Sequence, residues 1–136
     1  GTQRIVVALG TNDAQPLPPP YGGGGADGWS QTDADTWTRL LDALPADTHV
    51  VLVKPWLTAS YAAGHLAEID EARAFIDAYA AGRPNTTVVD WRTYVEAGPV
   101  LGPDGIHLDP IEPGTSIPVT AVAAQARIDA IAQGLS

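Results

Sequence analysis

Three short β-branched runs, separated by segments of helical period, constrain this chain more than any other feature. They are Ile5-Val6-Val7-Ala8-Leu9, His49-Val50-Val51-Leu52-Val53 and Thr86-Thr87-Val88-Val89-Asp90-Trp91. A strand that is apolar on successive residues has no face to give to water, so it belongs in a sheet covered by helices on both sides, and such sheets are mostly parallel. The first run, closed by Gly10, reads as a central strand. The second is closed by Pro55, which cannot donate to a ladder.

The intervening segments supply the helices. Trp37, Leu40, Leu41 and Leu44 recur at three- and four-residue spacing over Ala34–Leu44, with Thr32 or Asp33 as the cap and Pro45 as the stop. A second helix is expected over Leu66–Ala81, with Glu68, Asp70 and Glu71 in its first turns and Gly82 and Pro84 beyond its end. An Ala- and Ile-rich closing helix is expected over Val119–Gln133, ended by Gly134. The order β-loop-α-β-α-β-loop-α implies one α/β domain over residues 1–136, a three-layer α/β/α sandwich on a parallel sheet with right-handed crossovers. Three strands are few for this class, and the first begins with no preceding element, so a fold incomplete at its N-terminus is the expectation.

The loop from Ala14 to Thr32 holds Pro16, Pro18 to Pro20 and Gly22 to Gly25, too broken for helix or ladder. Its glycines lack the Lys-Ser/Thr and the strand-to-helix setting of a phosphate loop. With a net charge of −9 and only seven Lys plus Arg, no basic stripe can follow a phosphate backbone, which argues against nucleic acid. No apolar run approaches the roughly 20 residues of a membrane span. There is no Cys, hence no disulfide and no thiolate metal site. An acidic, cysteine-free, Pro-rich chain suits a secreted or extracytoplasmic protein.

Chemistry concentrates in two segments, Gly10-Thr11-Asn12-Asp13 after the first strand and Asp104-Gly105-Ile106-His107-Leu108 before the last helix. Ligands of open α/β sheets sit beyond the carboxyl ends of the strands. Gly10 lets the backbone turn sharply there, and Asn12 offers an amide donor to a developing oxyanion. Asp104, three residues before His107, can orient the imidazole and stabilise its charged form while His107 works as general base. Against these stand plainer readings: an Asx turn ending a strand at Asn12 and Asp13, and a carbonyl-bonded imidazole at His107. Asp104, His107 and Asp109 are too few for a convincing metal site, so none is expected, nor any cofactor. Trp29 and Trp56 could line an acyl or sugar subsite, whereas Trp37 and Trp91 suit the core. His49 reads as a strand-edge residue and His65 as surface.

Together the two segments resemble the Gly-x-Asn-Asp and Asp-x-x-His blocks of the SGNH, or GDSL, hydrolases, and the order of elements matches the C-terminal portion of that flavodoxin-like fold. The resemblance implies Asn12 as oxyanion donor, Asp104 and His107 as two members of a catalytic triad, and Gly10 as the residue shaping the pocket. Trp56 is assigned with Gly10 to substrate binding. No Gly-Asp-Ser block is present, and none of Ser30, Ser60, Ser116 and Ser136 has that context. The nucleophile is therefore expected on an N-terminal companion segment; a permuted fold or a non-hydrolytic relative would also account for the gap. The implied activity is serine ester hydrolysis through an acyl-enzyme, on an ester-bearing small molecule, lipid or acylated glycan. The alternatives are a non-catalytic carbohydrate- or protein-binding module, or the acyl-transferring domain of a glycan acyltransferase.

Overall fold

The computed structural model describes residues 3–8, 29–57, 66–98, 100–101 and 121–136. Within them three strands, β1 (Arg4–Val7), β2 (His49–Lys54) and β3 (Thr86–Asp90), form a parallel sheet in the order β1-β2-β3. Four helices accompany it: α1 (Gln31–Asp42), α2 (Leu66–Gly82), α3 (Trp91–Ala97) and α4 (Ala121–Leu135). The α/β class and the parallel sheet are those the sequence implied.

The central strand is β2, and among the described residues β1 pairs with β2 alone. This corrects the first expectation. Double-sided apolarity reports that both faces are covered, which is true of edge and centre alike; Val50, Val51 and Leu52 of β2 are buried, whereas Ile5, Val6 and Val7 are half-buried.

Alternation along the strands divides the core in two. Val50 and Leu52, with Val7 and Val88, face α1 and α2 and pack with Trp37, Leu41, Ile69, Ala72 and Ile76. Val51 and Val89, with Val6 and Val53, face α3 and α4 and pack with Trp91, Tyr94, Ala130 and Leu135. The register Val7↔Leu52↔Val88 keeps each set in one plane, so the layers on either side make an α/β/α sandwich.

Helix α1 starts earlier than its periodicity suggested. Ser30 is the N-cap, and Asp33 is the third helical residue rather than the cap: the Asp33 N–H donates to Ser30 Oγ at 3.4 Å while the Ser30 N–H donates to Asp33 Oδ2 at 2.9 Å. This reciprocal box satisfies two donors the helix cannot satisfy itself. The buried stripe is Trp37 and Leu41 with Ala34 and Leu44 at its flanks. Leu40, one step round the helix, is 62% exposed. Trp29 is buried against Trp37 and Phe75, with ring centroids 6.3 and 5.5 Å away, so it is a core residue and not a loop subsite.

Helix α2 presents Ile69, Ala72 and Ile76 to the sheet and Tyr79 to α1, where the Tyr79 hydroxyl donates to Asp42 at 2.8 Å. Burial, reinforced by that carboxylate, pushes the phenol up to about 12. Beyond α2 the chain reverses at Asn85, whose φ of 55° lies in the left-handed region that Asn tolerates.

Two expectations about termini change. Trp91 does not end β3 but begins α3, a helix that periodicity could not reveal in so short a segment; Asp90 caps it by accepting the Arg92 N–H at 3.0 Å. Gly134 does not end the last helix but lies inside α4, where a Cβ would overlap Val51 and stand 3.0 Å from Val89 Cγ2. Glycine there lets the helix backbone approach the sheet closely.

Candidate functional site

Because the three strands are parallel, Val7, Lys54 and Asp90 end at one edge of the sheet. Crevices outside that edge are where such sheets bind ligands. In sequence, Gly10 and Asn12 follow β1, Trp56 follows β2, and Asp90 closes β3.

Gly10, Asn12, Asp104 and His107 lie outside the described residues, as does the rest of both motif segments. Of the residues assigned to the site, Trp56 is described. It is half-buried, with the Arg92 guanidinium carbon 4.3 Å and the Arg73 guanidinium carbon 5.3 Å from its ring centroid. An Arg held over an indole gains about 0.5–1 kcal/mol when exposed and about 2 when desolvated.

Around Trp56 runs a charge network that sequence reasoning missed. Register pairs Lys54 with Asp90, so both project toward α2. Arg73 of α2 reaches Asp90 with both ends of its fork, Nη1 to Oδ1 at 2.9 Å and Nη2 to Oδ2 at 2.7 Å, and Nη1 also donates to the Pro55 carbonyl at 2.9 Å. Lys54 donates to Asp77 at 2.9 and 3.1 Å and stands 3.8 Å from Asp90. Burial pushes the Asp90 carboxyl up, but Arg73, the Arg92 N–H and Lys54 outweigh it and hold the group below its ordinary value. Asp90 therefore stays ionised at neutral pH and serves as a fixed anchor, not as a proton donor.

Arg92 is held differently. Its Nε donates to Glu96 at 2.7 Å in an i,i+4 pair whose side chains are 48% and 54% exposed. Pairs of this kind contribute about 0.3–0.5 kcal/mol. The Arg73–Asp90 fork, partly buried and bidentate, belongs to the stronger class of charge-assisted bonds at roughly 1.5–3 kcal/mol. Only the run Val88-Val89-Asp90, a carboxylate closing a strand, carried a sequence signal for any of this; the partners in α2 are joined to it by folding alone.

The opposite, amino edge is structural. His49 opens the central strand and its Nε2 lies 2.8 Å from Thr87 Oγ1, while Arg83 donates to the carbonyls of Thr48 and Pro45 at 3.2 and 3.0 Å. Among the described residues no group of three or more His, Asp or Glu could hold a metal ion, and no helix is long and apolar enough to cross a membrane.

No family model matches the chain, and no curated protein matches it significantly. Among solved structures it resembles the C-terminal catalytic domain of Streptococcus pneumoniae peptidoglycan O-acetyltransferase A, solved with a methylsulfonyl adduct, at a TM-score of 0.64 and 23% identity. The two share a fold. The likeness takes in 98% of this chain but 63% of that one, so the chain spans less than two thirds of the neighbour's length. The α/β fold with its parallel sheet is what this neighbour supports; the two motif segments are not tested by it.

Proposed function

We propose that this chain forms part of an acyl-transferring site of the SGNH type, moving an ester-linked acyl group to or from a glycan hydroxyl. The observation that carries the reading is the shared fold with a domain that is catalytic in peptidoglycan O-acetylation, over nearly the whole of this chain. That neighbour favours transfer, the alternative in the sequence reading, over plain hydrolysis. Chemistry on a cell-wall polymer would also suit an extracytoplasmic location.

In this reading His107 takes the proton from a serine on a segment outside these residues as the serine oxygen attacks the acyl carbon. Asp104 orients His107 and stabilises its charged form, and the Asn12 amide donates to the oxyanion. The tetrahedral adduct collapses to an acyl-serine as the leaving alcohol receives the proton from His107. An acceptor hydroxyl then gives its proton to His107, attacks the acyl-serine, and leaves as the ester while the serine is regenerated. Water in place of the acceptor would make the same site a hydrolase. In the same reading Gly10 shapes the pocket and Trp56 contributes to substrate binding.

The test uses the natural polypeptide that carries these residues, with para-nitrophenyl acetate as donor and a chitooligosaccharide as acceptor. Mass spectrometry should find acetylated oligosaccharide, and methylsulfonyl fluoride should block the reaction by labelling one serine. Nitrophenol release with no acetylated sugar would point to hydrolysis. Absence of both release and labelling would favour the binding-module alternative.

A further inference from the structure

Three of the seven cationic side chains, Lys54, Arg73 and Arg92, gather at the carboxyl edge of the sheet, but they are not equivalent. Lys54 and Arg73 are 14% and 12% exposed and committed to Asp77 and Asp90. Arg92 is 48% exposed, and its Nη groups bond to none of the described residues. The indole of Trp56 lies under it, 4.3 Å from the guanidinium carbon, and fixes the plane of the fork without consuming a donor.

We infer that Arg92, braced on Trp56, binds a carboxylate carried by the substrate, so that the glycan handled at this edge is an acidic one. The inference rests on the reading of this edge as the substrate edge. A planar guanidinium matches a carboxylate in geometry, and Glu96 already occupies its Nε, which shows that a carboxylate fits there. Both members of that pair are solvated, so an incoming carboxylate can share or replace Glu96 at small cost. The chain carries −9 overall, and an acidic substrate is repelled by the general field. A cation held in place and not neutralised by burial is what such a substrate needs. Asp90, bonded to Arg73 on one side and to the Arg92 N–H on the other, keeps Arg92 and Trp56 in register.

Binding, not turnover, provides the test, so its outcome does not depend on whether the acyl-transfer reading holds. Isotope-edited NMR of the arginine Nε–H and tryptophan indole N–H groups follows a titration with N-acetylmuramic acid and, separately, with its methyl ester. The acid should shift the Arg92 and Trp56 resonances and bind about tenfold more tightly than the ester, in line with the loss of a charge-assisted bond. Arg92→Gln should erase that preference. Glu96→Gln, which removes the competing negative charge from the Nε donor, should strengthen binding of the acid, an effect no purely structural role for Arg92 would produce. Arg39→Gln, on an exposed helical face elsewhere, should change nothing. Equal affinity for acid and ester, no detectable binding of the acid, or an equal loss in the Arg39 and Arg92 variants with the fold intact would each overturn the proposal.

Discussion

Replacing Gly134 by Ala tests how closely α4 must sit on the sheet. The added methyl would overlap a methyl of Val51, stand 3.2 Å from Val51 Cβ and lie 3.0 Å from Val89 Cγ2. Both valines are fully buried, and β-branched side chains have little rotamer freedom with which to yield. Overpacking of this kind costs about 1–3 kcal/mol. Against it stands the helix preference of Ala over Gly, at most about 1 kcal/mol in mid-helix and less here, one residue from the end of α4. The net is a destabilisation of about 1–2 kcal/mol, or a fall in Tm of several degrees for a domain of this size. Urea unfolding followed by tryptophan fluorescence should show a lower midpoint with an unchanged slope. A Gly134→Ala protein as stable as the parent would mean that α4 does not approach the sheet as closely as described.

Three further predictions follow from single features. Asp90→Asn should lower stability at neutral pH by about 1 kcal/mol, below the range for a buried charged hydrogen bond because Asp90 is 35% exposed and Asn keeps one acceptor oxygen. Its pKa is depressed, so this contribution is fully present above the ordinary value of 3.8 and is lost as pH falls through the lower folded value; a gap between parent and variant that persists undiminished in strong acid would refute the linkage. Thr48→Val should be neutral or stabilising in thermal unfolding, because the buried Thr48 hydroxyl has no hydrogen-bond partner among the described residues, and a loss above about 1 kcal/mol would show that it has one. In the natural polypeptide, Asn12→Ala should slow acyl transfer by about 10²-fold or more, and an unchanged rate would remove Asn12 from the site.

The sequence made the layers legible because the strands carry their own signature. Val50 to Val53 and Val88 to Val89 need cover on both faces, and the order of helices between them leaves a parallel sheet as the consistent arrangement. Position within the sheet was not legible, since the composition of Ile5 to Leu9 says nothing about how many neighbours a strand has. Short-range chemistry misled at the ends. Ser30 outcompeted Asp33 and Thr32 as the cap because the Ser30–Asp33 box satisfies donors in both directions. Gly134 looked like a stop by type, although its role is set by a contact 45 residues away, with Val89. At the site the same division holds. The Gly10–Asp13 and Asp104–Leu108 segments, proposed for the site and outside the described residues, are local motifs that a sequence can display, whereas the Lys54, Arg73, Asp77 and Asp90 network joins two strands to one helix across a register that only folding supplies.

Asp90 gives that network its functional meaning. One carboxylate closes β3, caps α3 through the Arg92 N–H, receives the fork of Arg73 from α2, and lies 3.8 Å from Lys54 at the end of β2. Arg73, in turn, holds the Pro55 carbonyl next to Trp56. The position of Trp56 against Arg92 is thus fixed from both sides by a group that is itself anchored by the sheet. The Trp56–Arg92 pair is braced by a strand end and a capped helix, although Trp56 itself follows the end of β2. Weakening the Arg73–Asp90 fork should therefore disturb the Trp56–Arg92 pair before it disturbs the core, because neither Arg73 nor Asp90 packs in the apolar clusters on the two faces of the sheet. Arg73→Lys, which keeps the charge but loses the fork, should broaden the Arg92 and Trp56 resonances with little change in unfolding midpoint; a cooperative loss of stability with those resonances unmoved would place Arg73 in the core's support and not in the edge's.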